Sequence, residues 1–406
     1  MIRLILVIIV CVLDGTSFGR LSERWVDEAR EEGWRIDTTD ELVFERTMQD
    51  FGRYLETSVG ERKLGRIARK VETPYDLSRA LDKVTGKRFG EHYPSFYAWS
   101  ESESFILDTT WLSRKSEHFL FLYHPGSKAA QDISLIEMAA EQAFNQISAI
   151  LGADSQEYSR LERIVMTGDT TPYYTAGRIP VRLHHDRRSI GGFEESSGGQ
   201  TGFRPVWFGD TVGYALWINL GYPGPAGLFG IPHETAHALA LLYLSDESKL
   251  SEILSSDPYV NSNKLRSAVL PDDLLRLEGW AYMVQNNYSA YVRLALWRSS
   301  REAVASAIPQ FGFPDCFNLL NGEVSKTALE RTLSVLGMEK SVNYAERMRY
   351  FFSAADMIRF LYERYGGEKL ARFLSDQREP MEALYAVYGL TPYALEEAWR
   401  KDVVSE

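Results

Sequence analysis

Apolar and polar positions alternate in two regimes along this chain. From about Arg20 to Lys115 the spacing is helical. In ELVFERTMQDFGRYLETSVGERKLGRIARKV (residues 41–71), apolar residues recur every three to four positions with charges between them. TPYDLSRALDKV also opens like a helix, with Thr73 as its cap and Pro74 in its first turn. At His118 the pattern changes. HFLFLYHP (118–125) is aromatic and apolar without a helical period and predicts a strand. DISLIEMAAEQAFNQISAILG (132–152) predicts a long amphipathic helix stopped by Gly152. RIVMTG (163–168), IPVRLHHD (179–186) and YALWINLGYP (214–223) are further strand candidates, the last ended by Gly221 and Pro223. Residues 187–214, rich in glycine and serine, predict a mobile surface loop. From IPHETAHAL (231–239) onward nearly everything reads as helix. The expected class is α+β: a small mixed β-sheet with helices, then a mainly helical half.

The first residues follow another logic. Arg3 precedes an apolar run from Leu4 to Leu13, and Ser17 and Gly19 sit at minus three and minus one of a cleavage position. This is the layout of a signal peptide over residues 1–19, and the run is short for a membrane span. The expected destination is secreted or periplasmic, with no stable span after removal of the signal. Only Cys11 and Cys316 are present. Loss of the signal leaves Cys316 alone, expected to be a small core hydrophobe. The net charge of -11 argues against nucleic acid or an anionic membrane as the main partner.

One apolar helix carries polar residues that need an explanation. In IPHETAHALALLYL (231–244) Pro232 suits a helix start, and Ala238 to Leu242 are apolar on every face, as in a buried helix. Yet His233, Glu234 and His237 interrupt it, and a buried charge without compensation is costly. His233 and His237 are four apart and project from one face, so both imidazoles can reach one ion. Glu234 is rotated about 100° away, placed to act on a water rather than to ligate. This is the H-E-x-x-H zinc signature, with glutamate as general base.

A catalytic zinc takes three protein ligands. The histidine that a metzincin carries six residues further on is Tyr243 here. Asp246, Asp257 and Glu278 are the remaining candidates. Glu278 is favoured because LLRLEGWAYMV (274–284) is again a largely apolar helix with one acidic group, beside Gly279, whose missing side chain lets a second helix approach. The competing use of Glu278 is an ion pair with Arg276. His184, His185 and Asp186 form a separate cluster, read mainly as loop or second-site residues.

His233, Glu234, His237 and the downstream EGWAY resemble the gluzincin zinc metallopeptidases of the peptidase MA-like group. HFLFLYHPGS with its following helix is similar to the opening of those domains. YFFSAADMIRFLYERYGGEKLARFLSD and LEEAWRKDV are similar to their closing helices. The likeness covers about residues 116–406 and leaves 20–115 as an N-terminal, mainly helical segment. It implies zinc held by His233, His237 and Glu278, Glu234 as base and proton shuttle, and Tyr350 (or its neighbour Tyr344) on the oxyanion. Relatives commonly carry a tryptophan before the glutamate ligand; here Trp280 follows it. The implied activity is hydrolysis of peptide bonds in a peptide or protein substrate. YALWINL, just before the metal helix, could offer an edge to an extended peptide. A zinc-bound extracytoplasmic binding module, an inactive homologue, is the alternative; the retained Glu234 argues against it.

Overall fold

The computed structural model describes residues 33–68, 74–87, 89–103, 110–152, 178–186, 199–208, 211–257, 262–271, 273–292, 313–321 and 340–404, with single positions at 26, 27, 29–31, 260, 304, 305 and 308. The expected signal peptide (residues 1–19), RIVMTG and Thr73 lie outside the described residues.

Residues 26, 27 and 29–31 are helical, and α1 (Thr38–Val59), α2 (Glu61–Ala68), α3 (Pro74–Thr85) and α4 (Phe89–Ser102) follow. α1 begins at a reciprocal cap. The Asp37 carboxylate accepts from the N–H groups of Thr39 and Asp40, and the Asp40 carboxylate accepts from the N–H of Asp37. Gly60, at a φ of 77°, separates α1 from α2, and Pro74 opens α3.

β1 (Leu112–Lys115) and β2 (Phe119–Tyr123) form an antiparallel pair. Helix α5 (Lys128–Leu151) follows, capped by Ser127 and ended by Gly152 in the left-handed conformation that glycine adopts without a Cβ clash. β3 (Ile179–His184) lies parallel to β2. β4 (Gly199–Phe208) and β5 (Thr211–Gly221) are antiparallel, and β5 is parallel to β3. The mixed five-stranded sheet has the order β1-β2-β3-β5-β4.

Two expectations are corrected here. The described part of the 187–214 loop is β4 and the start of β5. Its glycines mark close packing rather than mobility, since a Cβ on Gly202 would stand 2.1 Å from the Trp217 ring. YALWINL is not an edge either. β5 pairs with β3 on one side and β4 on the other, so among the described residues the edge strands are β1 and β4.

A 3₁₀ turn (Pro225–Phe229) leads from β5 into α6 (Gly230–Leu244). Then come α7 (Glu247–Ser256), α8 (Ser262–Val269), α9 (Leu274–Met283) with a π-helical turn over Val284–Tyr288, α10 (Cys316–Asn321), α11 (Lys340–Tyr365), α12 (Gly367–Ser375), α13 (Pro380–Tyr388) and α14 (Pro392–Val404). The α+β class is as expected: a sheet with its helix, then a mainly helical half. Among the described residues one apolar core runs from Phe44 and Phe51 through Phe121, Leu216 and Leu239 to Trp280, Leu361 and Trp399. Cys316 is buried within it. No described helix is long and apolar enough to cross a membrane.

Candidate metal centre

α6 is buried along almost its whole length, which follows from its near-uniform apolar surface. His233 and His237 sit one turn apart on it, their rings nearly perpendicular at 81°. Their Nε2 atoms are 3.2 Å apart. Glu278 arrives from α9, its Oε2 3.4 Å from Nε2 of His233 and its Oε1 3.6 Å from Nε2 of His237. One potential ligand atom from each of the three residues thus lies within 4.8 Å of the other two, in a triangle. Two metal–ligand bonds of about 2.0–2.1 Å meeting at the tetrahedral angle place their ends about 3.4 Å apart. Each pairwise separation is therefore close to one edge of a zinc coordination tetrahedron, the two to Glu278 being made by its different oxygens. The residues present fit a bound divalent ion.

Packing around the triangle explains how α9 delivers Glu278. Gly279 does permit a close helix contact, though the partner is α11 rather than α6. A Cβ there would lie 3.1 Å from Cβ of Ala354. Trp280 makes the contact with α6: it is fully buried, and its indole N–H donates to the Ala236 carbonyl at 3.0 Å. The tryptophan that follows the glutamate thus pins the two helices together. Arg276 does not take Glu278 as its partner. It pairs with Asp273 at 2.5 Å and donates to the carbonyls of Phe373, Asp376 and Arg378. Asp246 is the N-cap of α7, and Asp257 caps its other end, so neither joins the triangle.

Three further groups shape the site. Nδ1 of His233 lies 3.2 Å from Oε1 of Gln285, in the π-helical turn. An amide oxygen only accepts, so Nδ1 carries the proton and Nε2 presents its lone pair to the triangle. The Tyr282 ring packs edge-on against His233, with centroids 4.7 Å apart. Thr201 of β4 places its hydroxyl 2.8 Å from Oε2 of Glu234 and 3.0 Å from the carbonyl of the same residue. Glu234 is buried and presses against β4, where a Cβ on Gly199 would stand 2.6 Å from its Cγ. Tyr282 and Gln285 lie four and seven residues beyond Glu278 on one helical stripe, a spacing readable from sequence. Thr201 carried no such signal.

Burial governs the electrostatics. It pushes His237 down to about 4 and so favours the neutral imidazole that a metal requires. Burial also pulls His233 down, but its hydrogen bond to Glu278 and the charges of Glu278 and Glu234 outweigh that and raise it. Burial pushes Glu234 up to about 7, against the opposing pull of His233 and Thr201.

Other expected site residues fall elsewhere. Tyr350 is buried in α11, and its hydroxyl donates to the Leu319 carbonyl at 3.2 Å. It reaches His233 only through a chain of rings, Phe351 and then Tyr282. The Tyr344 side chain lies outside the described residues. His184 faces Asn219 at 3.5 Å and His185 faces Asp186 at 3.5 Å. Glu117, His118 and Glu141 also come together. There Glu141 is already engaged by the His118 ring at 2.5 Å, the His118 N–H at 2.9 Å and the Ser116 hydroxyl at 2.5 Å. That group fastens the β1–β2 turn to α5. Compared with models of known protein families, with curated proteins and with solved structures, the chain matches none of them.

Proposed function

We propose that this chain is a zinc-dependent peptidase of the gluzincin kind, with His233, His237 and Glu278 as zinc ligands and Glu234 as general base. The observation that carries the reading is the convergence of His233, His237 and Glu278, whose nearest ligand atoms are 3.2–3.6 Å apart pair by pair, with a buried carboxylate on the residue next to the first histidine. Two imidazoles and a carboxylate are a catalytic zinc donor set that leaves a fourth position open. When bound, such an ion acidifies a water and polarises the substrate carbonyl.

The protein's own groups do the rest. Glu234 takes the proton of the attacking water and returns it to the leaving amine. Thr201 holds that carboxylate by one oxygen, which leaves the other free to turn toward the water. Gln285 keeps His233 in the ligating tautomer. β4 runs past Glu234 at Gly199 and Thr201 and is an edge strand among the described residues, so an extended peptide added to that edge would cross the site. For Tyr350 to serve the oxyanion, its hydroxyl has to exchange the Leu319 carbonyl for the substrate. The signal peptide expected over residues 1–19 supports action outside the cytoplasm, on peptides or proteins met there.

The test is Glu234→Gln in the exported form of the protein. The variant should bind zinc as the wild type does and lose cleavage of a peptide library by about 10²–10⁴-fold. Equal cleavage by both proteins removes Glu234 from its role. A wild type that binds zinc and cleaves nothing supports the binding-module alternative instead.

A further inference from the structure

The last residue of β5 and the segment that joins it to the metal helix are buried from residue 221 to residue 229, and residues 222–229 lie outside the sheet ladder. Such a buried connection is held in place by the groups that bond its backbone. Three of these bonds come from tyrosines. Tyr97 donates to the Gly221 carbonyl at 2.5 Å, Tyr93 to that of Ala226 at 2.5 Å, and Tyr291 to that of Leu228 at 3.1 Å. Tyr93 and Tyr97 are one turn apart on α4, so both hydroxyls leave the same helix face. The Tyr93 ring also stacks on Phe229, with centroids 5.2 Å apart and planes 7° from parallel.

The same turn is gripped from α1. The Tyr222 hydroxyl donates to Asp132, which Arg46 of α1 holds at 3.2 Å. Asp40 of α1 accepts the N–H of Tyr291 at 3.1 Å. α6 begins at Gly230, directly after this segment, and His233 lies in its first turn. His233 must stay within about 0.5 Å of its place for the three groups to suit one ion.

We propose that the N-terminal helices are a buttress of the metal helix, with Tyr93 and Tyr97 as positioning residues that hold the 221–229 segment so that His233 meets His237 and Glu278. The proposal rests on the zinc reading above and gives α1–α4 a function distinct from catalysis. Loss of the two hydroxyls removes two side-chain anchors from this segment and lets the start of α6 shift, while both rings keep their packing.

The experiment measures zinc affinity by competition with a chromogenic chelator, well below the melting temperature of each protein. The variants are Tyr93→Phe, Tyr97→Phe and the pair combined, each in the full chain. Trp399→Phe is the control; it removes a buried hydrogen bond from α14 to Asp356. The expected result is zinc binding weakened at least fivefold in the double variant and by a smaller factor in each single one. Trp399→Phe should melt earlier with its zinc affinity unchanged. Should the double variant not fold, the single variants decide alone. Tyrosine variants that melt earlier yet bind zinc within twofold of the wild type overturn the positioning role and leave the zinc reading intact. A wild type that binds no zinc overturns both.

Discussion

At the scale of residues, the site depends on which atom each side chain presents. Gln285 decides this for His233 by accepting the Nδ1 proton, and partners of this kind are worth about 10–100-fold in metal affinity. Gln285→Leu should therefore weaken zinc binding by about that factor, while Gln285→Glu keeps an acceptor and should retain it. Isothermal titration of both variants checks this; equal affinity for Leu and Glu would remove Gln285 from the site. Glu278 was legible in the sequence for a physical reason: a lone carboxylate in an apolar helix needs compensation, and Arg276 is spent on Asp273 and on three carbonyls. Thr201 was not legible. It lies among glycines, in a stretch whose composition resembles a loop. Only the structure reveals that Gly199 makes room for Glu234.

At the scale of elements, helix α1 carries a titration that can be measured. Burial, aided by the nearby Asp37 charge, pushes the Asp40 carboxyl up to about 7 from its ordinary 3.8. Between those values the folded protein binds a proton that the unfolded chain releases. Stability from this group is therefore present below about 4 and falls as the pH rises toward 7. Asp40→Asn cannot titrate and keeps an oxygen for the Tyr291 N–H. Its denaturation curves should stay flatter than those of the wild type between pH 5 and 7.5, and parallel pH dependence in the two proteins would refute this. Helix existence was readable from spacing throughout α1–α5 and α9. Strand partners were not, because YALWINL has the same alternation whether it ends a sheet or lies inside one. Its place between β3 and β4 is set by β4, the strand whose small residues disguised it.

At the scale of the whole molecule, the ion would join parts of the chain that are distant in sequence. α6 and α9 meet through Trp280, α9 leans on α11 at Gly279, and α4 holds the approach to α6. A ligand bound only by the folded state stabilises by about 4 kcal/mol at a thousandfold excess over its Kd. Zinc should thus raise the melting temperature by a few degrees and a chelator should lower it, with no such shift in His237→Ala. The α+β plan was visible in the change from helical to strand-like spacing near residue 118. The way the N-terminal helices meet the metal helix was not, since single tyrosines in a helix carry no label for the carbonyls they will find.

The central claim is that Glu278 completes a zinc site begun by His233 and His237. It is tested most directly by the zinc content, after dialysis, of the wild type and of Glu278→Ala. One zinc per wild-type chain with little or none in the variant is the predicted result. Full zinc in Glu278→Ala, or none in the wild type, would contradict it.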